Sequence, residues 1–213
     1  MRAGKFISFE GGEGCGKSTQ ARLLADWLEE QGRPVLLTRE PGGTAGAEAI
    51  RELLLHPSHG SWTAPAEAML FAAARADHVA KVIKPALESG TWVICDRFVD
   101  SSIAYQGVAG GVGSETVRQL HQIGSGGLLP DRTILLEVDH AIAAERMAAR
   151  NQPEADVIEQ RGEAYHQSVA AAFQSLAEDE SNRFLIIDGS GAVAEVQSLI
   201  RASLKPLIQP TAS

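Results

Sequence analysis

Lys5-Phe6-Ile7-Ser8-Phe9-Glu10, running into Gly11-Gly12-Glu13-Gly14-Cys15-Gly16-Lys17-Ser18-Thr19, decides how this chain is read. The first six residues are a short, apolar, aromatic-rich run, the pattern of a buried strand. The rest fits G-x-x-x-x-G-K-[ST], a loop that wraps phosphates. Its glycines let the backbone curl so that successive N–H groups point at an anion, and the helix that follows adds its positive end. Lys17 is placed to reach the β- and γ-phosphates, and the Ser18 hydroxyl to ligate Mg²⁺. A glycine-rich turn can match such a pattern by chance. Here the context agrees, because Ala21, Leu24, Ala25 and Leu28 then recur on one helical face, widened by Leu23 and Trp27.

Composition narrows the class. The 213 residues suit one α/β domain, and 44% hydrophobic with 22% charged residues is ordinary for a soluble globular chain. A net charge of −8 argues against a non-specific nucleic-acid binder, though local arginines can still form a positive cleft. Cys15 and Cys95 do not have metal-ligand spacing, and a reduced compartment fits them better than a disulfide framework. Met1 to Gly4 lead straight into the first strand, and no apolar run approaches about 18 residues. The expectation is therefore a cytoplasmic protein without a signal peptide, membrane span or nucleic-acid partner.

Strands and helices alternate along the whole sequence. Strands are expected at Lys5–Glu10, Val35–Thr38, Thr91–Asp96, Arg132–Val138 and Phe184–Ile187. Helices are expected from the phosphate loop to about Gly32, at 45–55, at 100–108 and 114–123, at 140–150, from Ile158 to Glu178 and at 192–204. Another runs from a Thr63 cap to about Glu88, bent or broken near Pro85. Asn151–Val157 reads as irregular and Pro206–Ser213 as a frayed tail. This order predicts a three-layer α/β/α fold with a five-stranded parallel sheet, helices on both faces, in a single domain over residues 1–213.

Several constellations carry chemistry. Asp96 ends an apolar strand, where an acid can hold Mg²⁺ opposite the phosphate loop; otherwise it is a strand-ending Asp that opens a turn. Arg97 beside it has a fork suited to phosphate, or forms a surface ion pair. Arg146 and Arg150 share a helix face next to the irregular segment and suit a phosphoryl clamp, or a solvated face paired with Glu145. Phe71 and Arg75 are spaced to stack on a base and bond its carbonyl, although a helical Phe usually belongs to the core. His78, His121 and His166 show no metal or triad pattern.

Taken together, the motifs resemble the thymidylate kinase family of nucleoside monophosphate kinases. The match rests on Phe9 to Thr19, Thr38-Arg39-Glu40-Pro41-Gly42-Gly43-Thr44, Leu70-Phe71-Ala72-Ala73-Ala74-Arg75 and Val82 to Leu87. It continues in Asp96-Arg97-Phe98, Ala104-Tyr105-Gln106-Gly107 and Leu129-Pro130-Asp131. The resemblance implies a P-loop kinase fold and transfer of phosphate from Mg·ATP to dTMP, within dTTP synthesis. It implies that Gly11, Gly12, Glu13, Gly14, Cys15, Gly16, Lys17, Ser18, Thr19 and Arg146 bind ATP. Ser18, Asp96 and Glu159 would serve Mg²⁺. Phe71 would stack on thymine and Arg75 bond its O4. Arg39 and Arg97 would hold the dTMP phosphate, aimed by a cis bond at Glu40-Pro41. Ser101, Ser102 and Gln106 would line the pocket, and Tyr105 would crowd the sugar 2′ position. Glu13 would lie near the sugar hydroxyl or the acceptor phosphate. A lid over about 147–159 and a homodimer are also implied.

One departure stands out. Members without an arginine in the phosphate loop carry one in the lid, in Asp-Arg-(Ile/Phe)-Glu. Here the stretch is Asp156-Val157-Ile158-Glu159. Arg150 is the substitute with Lys17, Arg97 and Glu13 in the catalytic set, followed by Arg146 and then Arg161. Another nucleotide or nucleoside kinase, a nucleotide-driven switch and an inactive binding module are the alternatives. No Asn-Lys-x-Asp or Leu-Ser-Gly-Gly signature supports a switch or transporter subunit.

Overall fold

A computed structural model describes residues 4–57, 60–149 and 156–208. The strands β1 (Phe6–Glu10), β2 (Val35–Arg39), β3 (Trp92–Asp96), β4 (Arg132–Glu137) and β5 (Phe184–Asp188) form one parallel sheet in the order β2-β3-β1-β4-β5. The central strands read as apolar runs because both faces are covered. Side chains alternate between two cores. Phe6, Val93, Cys95 and Leu135 pack towards Phe173 of α8 (Glu163–Asp179). Ile7, Phe9, Ile94 and Ile134 pack towards Leu24 and Leu28 of α1 (Lys17–Glu30), and Ile200 and Leu204 of α9 (Val193–Ile208). The three-layer expectation holds: a five-stranded parallel sheet with helices on both faces.

The helix α2 spans Ala45–Leu55 as expected, capped by Thr44, whose side chain accepts from the Ala47 amide. Other expected boundaries need correction. Thr63 precedes α3 (Ala64–His78), but its side chain makes no capping hydrogen bond. The expected long helix is interrupted by a π-helical turn, Val79–Ile83, before α4 (Lys84–Glu88). Pro85 has no N–H to give a residue four back, and the wider turn precedes it. The expected helix 100–108 is a short α5 (Val99–Ser102) followed by a π-helical stretch, Ile103–Ala109. The next, α6 (Ser114–Ser125), agrees within two residues.

After α7 (His140–Ala148), the chain does not resume a helix at Ile158. The Asp156 carboxylate accepts from the Ile158 and Glu159 amides at 2.8 and 2.9 Å, fixing a turn, and the helix starts only beyond Gly162. The Val169, Phe173 and Leu176 stripe of α8 is buried as its spacing predicts. At the other end, α9 runs through Pro206 to Ile208 instead of fraying at Pro206. Leu207 and Ile208 pack on the core and Arg33 donates to the Ile208 carbonyl at 2.7 Å, which offsets the amide lost at Pro206. Most of the expected irregular stretch, 151–155, lies outside the described residues, as does the tail beyond 208. No helix among the described residues is long and apolar enough to cross a membrane.

A buried polar chain fastens the sheet to α5. Arg183 donates to both carboxylate oxygens of Asp100 at 2.7 and 2.8 Å, and Thr133 bridges to Ser8 at 2.9 Å. Asp100 is fully buried. Replacing Arg183 with Met leaves that carboxylate desolvated and unpaired, at a cost of about 3–5 kcal/mol. Urea unfolding of Arg183→Met should show that loss, while Asp100→Asn in the same background recovers part of it.

Candidate functional site

The site lies at the C-terminal ends of β2, β3 and β1, where an open parallel sheet offers a crevice. Parallel pairing sets Phe9 beside Asp96 and Arg39 beside Asp96. The loop after β1 and the turn after β3 are therefore neighbours, although 86 residues separate Gly11 from Arg97.

The phosphate loop takes the expected curl. Gly14, at φ +73°, packs so closely on α7 that an added Cβ would meet the Ala143 carbonyl at 2.5 Å. Gly16, at φ +94°, turns the chain into α1. The Lys17 ammonium donates to the Gly11 and Gly12 carbonyls at 3.2 and 2.7 Å, held across the loop where phosphate oxygens would compete for it. The Ser18 hydroxyl donates to the Asp96 carboxylate, so two hard oxygen donors meet at one point. Glu159 lines the same cleft at a different wall, and its carboxylate accepts from the Asp156 amide at 3.4 Å. Among the described residues no three His, Cys, Asp or Glu side chains form a metal-ligand cluster. An oxygen pair with few protein ligands suits Mg²⁺, which keeps waters and shares phosphates.

Arg97 has a left-handed backbone, φ +68°, which costs a non-glycine residue on the order of 1–3 kcal/mol and persists only where surroundings impose it. The surroundings are specific. The Arg97 amide donates to the Phe9 carbonyl at 2.9 Å, and the Phe98 amide donates to Glu10 Oε1 at 2.8 Å. The Ser101 hydroxyl donates to Glu10 Oε2 and accepts from Arg97 Nη1 at 2.9 Å. The guanidinium also pairs with Glu13 and reaches the Tyr105 hydroxyl at 3.2 Å. Burial pushes the Tyr105 phenol up, so it stays protonated and donates to Glu13 at 3.1 Å.

A second buried carboxylate organises the opposite end. Glu40 follows β2, precedes a cis bond to Pro41, and is 5% exposed. Its Oε2 accepts from Arg75 Nε at 2.7 Å and its Oε1 meets His78 Nδ1 at 3.0 Å. Arg75 also donates to the Ser102 hydroxyl at 2.8 Å and lies 5.4 Å from the Phe98 ring. His78 is thus structural, bridging Glu40 and Thr38.

These residues enclose a cleft of about 520 Å³. Its lining includes Glu13, Lys17 and Ser18 of the phosphate loop and the start of α1, together with Phe71, Arg75, Ser102 and Gln106. Arg39, Glu40, Pro41, Asp96, Arg97, Ser101 and Tyr105 line it as well. Phe71 is only partly buried and packs its inner side on the core, leaving room for a stacking role. Arg39 is half exposed and paired with Glu48 at 3.0 Å. Arg146 does not line this cleft; it donates to the Gly189, Ser190 and Gly191 carbonyls at 2.9–3.4 Å. Arg150 lies outside the described residues.

Arg51, which the sequence reading passed over, also lines the cleft and donates to the Pro41 carbonyl at 2.9 Å. Burial and the neighbouring Arg39 lower its pKa, a sign of cations converging on one spot. Its only sequence signal is its position three residues after Glu48, on the helix leaving the Pro-Gly-Gly-Thr loop.

The chain matches the family profile described as thymidylate kinase over residues 9–200. It is 53% identical over 205 residues to a thymidylate kinase of Rhizorhabdus wittichii, covering 96% of this chain and 99% of that protein. It is 49% identical over 203 residues to one of Symbiobacterium thermophilum, covering 95% and 94%. The fold is similar to the crystal structure of thymidylate kinase from Ehrlichia chaffeensis, with a TM-score of 0.78 at 31% identity, over 95% of this chain and all of that one.

Glu10 gives this site a pH signature. Burial, with Asp100 nearby, raises its pKa from 4.5 to about 8, although the Ser101 hydrogen bond and Arg97 pull the other way. Below about pH 4.5 the group is neutral folded or unfolded and contributes nothing. Between 4.5 and 8 the folded state holds a proton the unfolded state has lost, so stability falls as pH rises, by at most about 1.4 kcal/mol per pH unit. Above 8 the penalty is constant. Urea midpoints for Glu10→Gln should accordingly gain on the wild type from pH 5 to 8 and keep a constant difference beyond.

Proposed function

The chain belongs to the thymidylate kinase family, whose reaction is the ATP-dependent phosphorylation of dTMP to dTDP, and we propose how its own residues carry that reaction. The observation that carries the assignment is the buried Glu40–Arg75 pair. It holds a forked donor that lines the cleft together with Phe71, one helical turn away on α3. An aromatic face next to a fixed donor suits a pyrimidine with a 4-carbonyl.

In this reading, ATP lies along the phosphate loop, Gly11 to Thr19, with Lys17 released from its two carbonyls to the phosphates. The acceptor phosphate lies between Arg39, Arg97 and Arg51, whose forks match its oxygens. Ser101, Ser102 and Gln106 surround the nucleoside, and the Tyr105 ring fills the space a ribose 2′-hydroxyl needs. Glu13 keeps Arg97 and Tyr105 oriented. The acceptor is already an anion, so no strong base is needed; holding two anions together and excluding water supplies the rate. Ser18 and Asp96, with Glu159 beyond them, would hold Mg²⁺, which supplies charge neutralisation for the phosphates when bound. Arg150 is proposed to supply the positive charge missing at Val157, and residues about 147–159 to form the lid of a single domain. Arg146, engaged with the β5–α9 loop, is left a supporting part at the ATP end.

A cytoplasmic homodimer completes the proposal. Leu53 of α2, Met69 of α3 and Ile123 of α6 are 44%, 54% and 84% exposed on helices that pack side by side. Exposed apolar side chains on adjoining helices suit an interface with a second copy. Met69→Lys combined with Ile123→Glu should convert a dimer into a monomer in light scattering, with the melting transition retained. A monomeric wild type would remove the interface.

The assignment is tested by ADP release with dTMP, dUMP, dCMP, dGMP and the ribonucleotide analogue of dTMP. We expect the highest kcat/KM for dTMP. dCMP should fall at least about 10²-fold, because an amino group at position 4 leaves Arg75 facing a donor. Preference for another acceptor, or ATP hydrolysis independent of acceptor, overturns it.

A further inference from the structure

Glu67 and Arg161 are a charged pair that the reaction described above does not use. They are 94 residues apart in sequence, on α3 and in the turn before α8. Glu67 is 5% exposed. The guanidinium of Arg161 donates to Glu67 Oε2 and, at 2.6 Å, to the Tyr165 hydroxyl, above whose ring it sits at 4.7 Å. The Tyr165 hydroxyl in turn donates to the Tyr105 carbonyl at 2.8 Å. The other oxygen of Glu67 accepts from Gln106 Nε2 at 3.0 Å. One carboxylate therefore joins Arg161 to the amide of Gln106, which is 2% exposed and lines the cleft.

The geometry has a chemical consequence. A glutamine amide presents a donor at one end and an acceptor at the other, and the two ends are nearly isosteric. Glu67, an acceptor while ionised, commits the Nε2 end to the protein and leaves the oxygen as the acceptor end. Thymine and uracil carry a hydrogen at N3, whereas cytosine carries a lone pair there. An amide fixed in this sense favours the first two, and a flipped amide favours the third. An unpaired charge this buried would be costly, and Arg161 is the partner that Glu67 has.

We infer that Arg161 is a specificity-determining positioning residue, which through Glu67 fixes the orientation of Gln106 and so the preference for a pyrimidine bearing N3–H. The inference rests on the dTMP reading of the cleft. It gives Arg161 a task away from the transferring phosphoryl group.

The test uses the full chain with Arg161→Gln, Arg161→Lys and Glu67→Gln. Three quantities are compared: kcat/KM for dTMP against dCMP, KM for ATP, and dTMP affinity by calorimetry without ATP. Arg161→Gln and Glu67→Gln should each shrink the dTMP:dCMP ratio about tenfold and weaken dTMP binding, with KM for ATP within about twofold of wild type. Arg161→Lys, which keeps the charge but not the fork, should restore most of the ratio. An unchanged ratio in both glutamine variants overturns the inference, as does a change confined to kcat and the KM for ATP. If Arg161→Gln does not fold, Glu67→Gln decides alone by the same criterion. A wild type inactive on dTMP overturns the acceptor reading itself, whereas a wild-type preference that survives both substitutions overturns only the positioning role.

Discussion

The parallel pairing of β1 with β3 is the constraint on which the site depends. It places the ends of two distant segments side by side, so that the Ser18 hydroxyl meets Asp96 and the Arg97 guanidinium reaches the phosphate-loop carbonyl of Gly11. The junction is closed by Glu10, the last residue of β1, whose carboxyl group accepts from both the Phe98 amide and the Ser101 hydroxyl. That acceptor works with the bond from the Arg97 amide to the Phe9 carbonyl to hold Arg97 in its left-handed backbone conformation. The strand pairing thus supplies adjacency and the buried carboxylate supplies orientation.

The same device recurs twice. Glu40 holds Arg75 and His78, and Glu67 holds Gln106 and Arg161. Each carboxylate is at most 5% exposed, a state in which an unpaired charge would cost several kcal/mol. Each is matched by two partners, and in each case at least one partner lines the cleft. Replacing such pairs with apolar residues need not reduce stability. What would be lost is the fixed direction of the donors that meet the ligand. Stability is carried instead by the two apolar cores on the faces of the sheet.

Charge is distributed unevenly around these anchors. The chain carries a net charge of −8, yet Lys17, Arg39, Arg51, Arg75 and Arg97 all border one cleft. All five are engaged by a carboxylate or a carbonyl: Lys17 by Gly11 and Gly12, Arg39 by Glu48, Arg51 by Pro41, Arg75 by Glu40 and Arg97 by Glu13. Such contacts keep the cations in place and can be exchanged for phosphate oxygens, which carry more charge than a carbonyl. An acidic protein can in this way present a local anion site.

The sequence by itself determined the layers, the strands and the phosphate loop, because those features are written in short-range patterns of apolar runs, glycine spacing and strand-ending charges, whereas Arg39, Glu40, Ser101, Ser102, Tyr105 and Gln106 were reached only through the family resemblance. Its errors fell where a local signal was opposed by a contact it did not contain. Pro206 stays helical because Leu207, Ile208 and Arg33 hold the end, and the helix expected from Ile158 waits for Glu163 because Asp156 captures two amides. Only the tertiary structure decided which charge faces which. The Glu10–Phe98, Glu40–Arg75 and Glu67–Arg161 contacts span 88, 35 and 94 residues, and no periodicity reports on partners so far apart. Arg51 joined the site for the same reason: its role is set by the fold of the Pro41 loop over α2, and its own neighbourhood in the sequence looks like any solvated helix face.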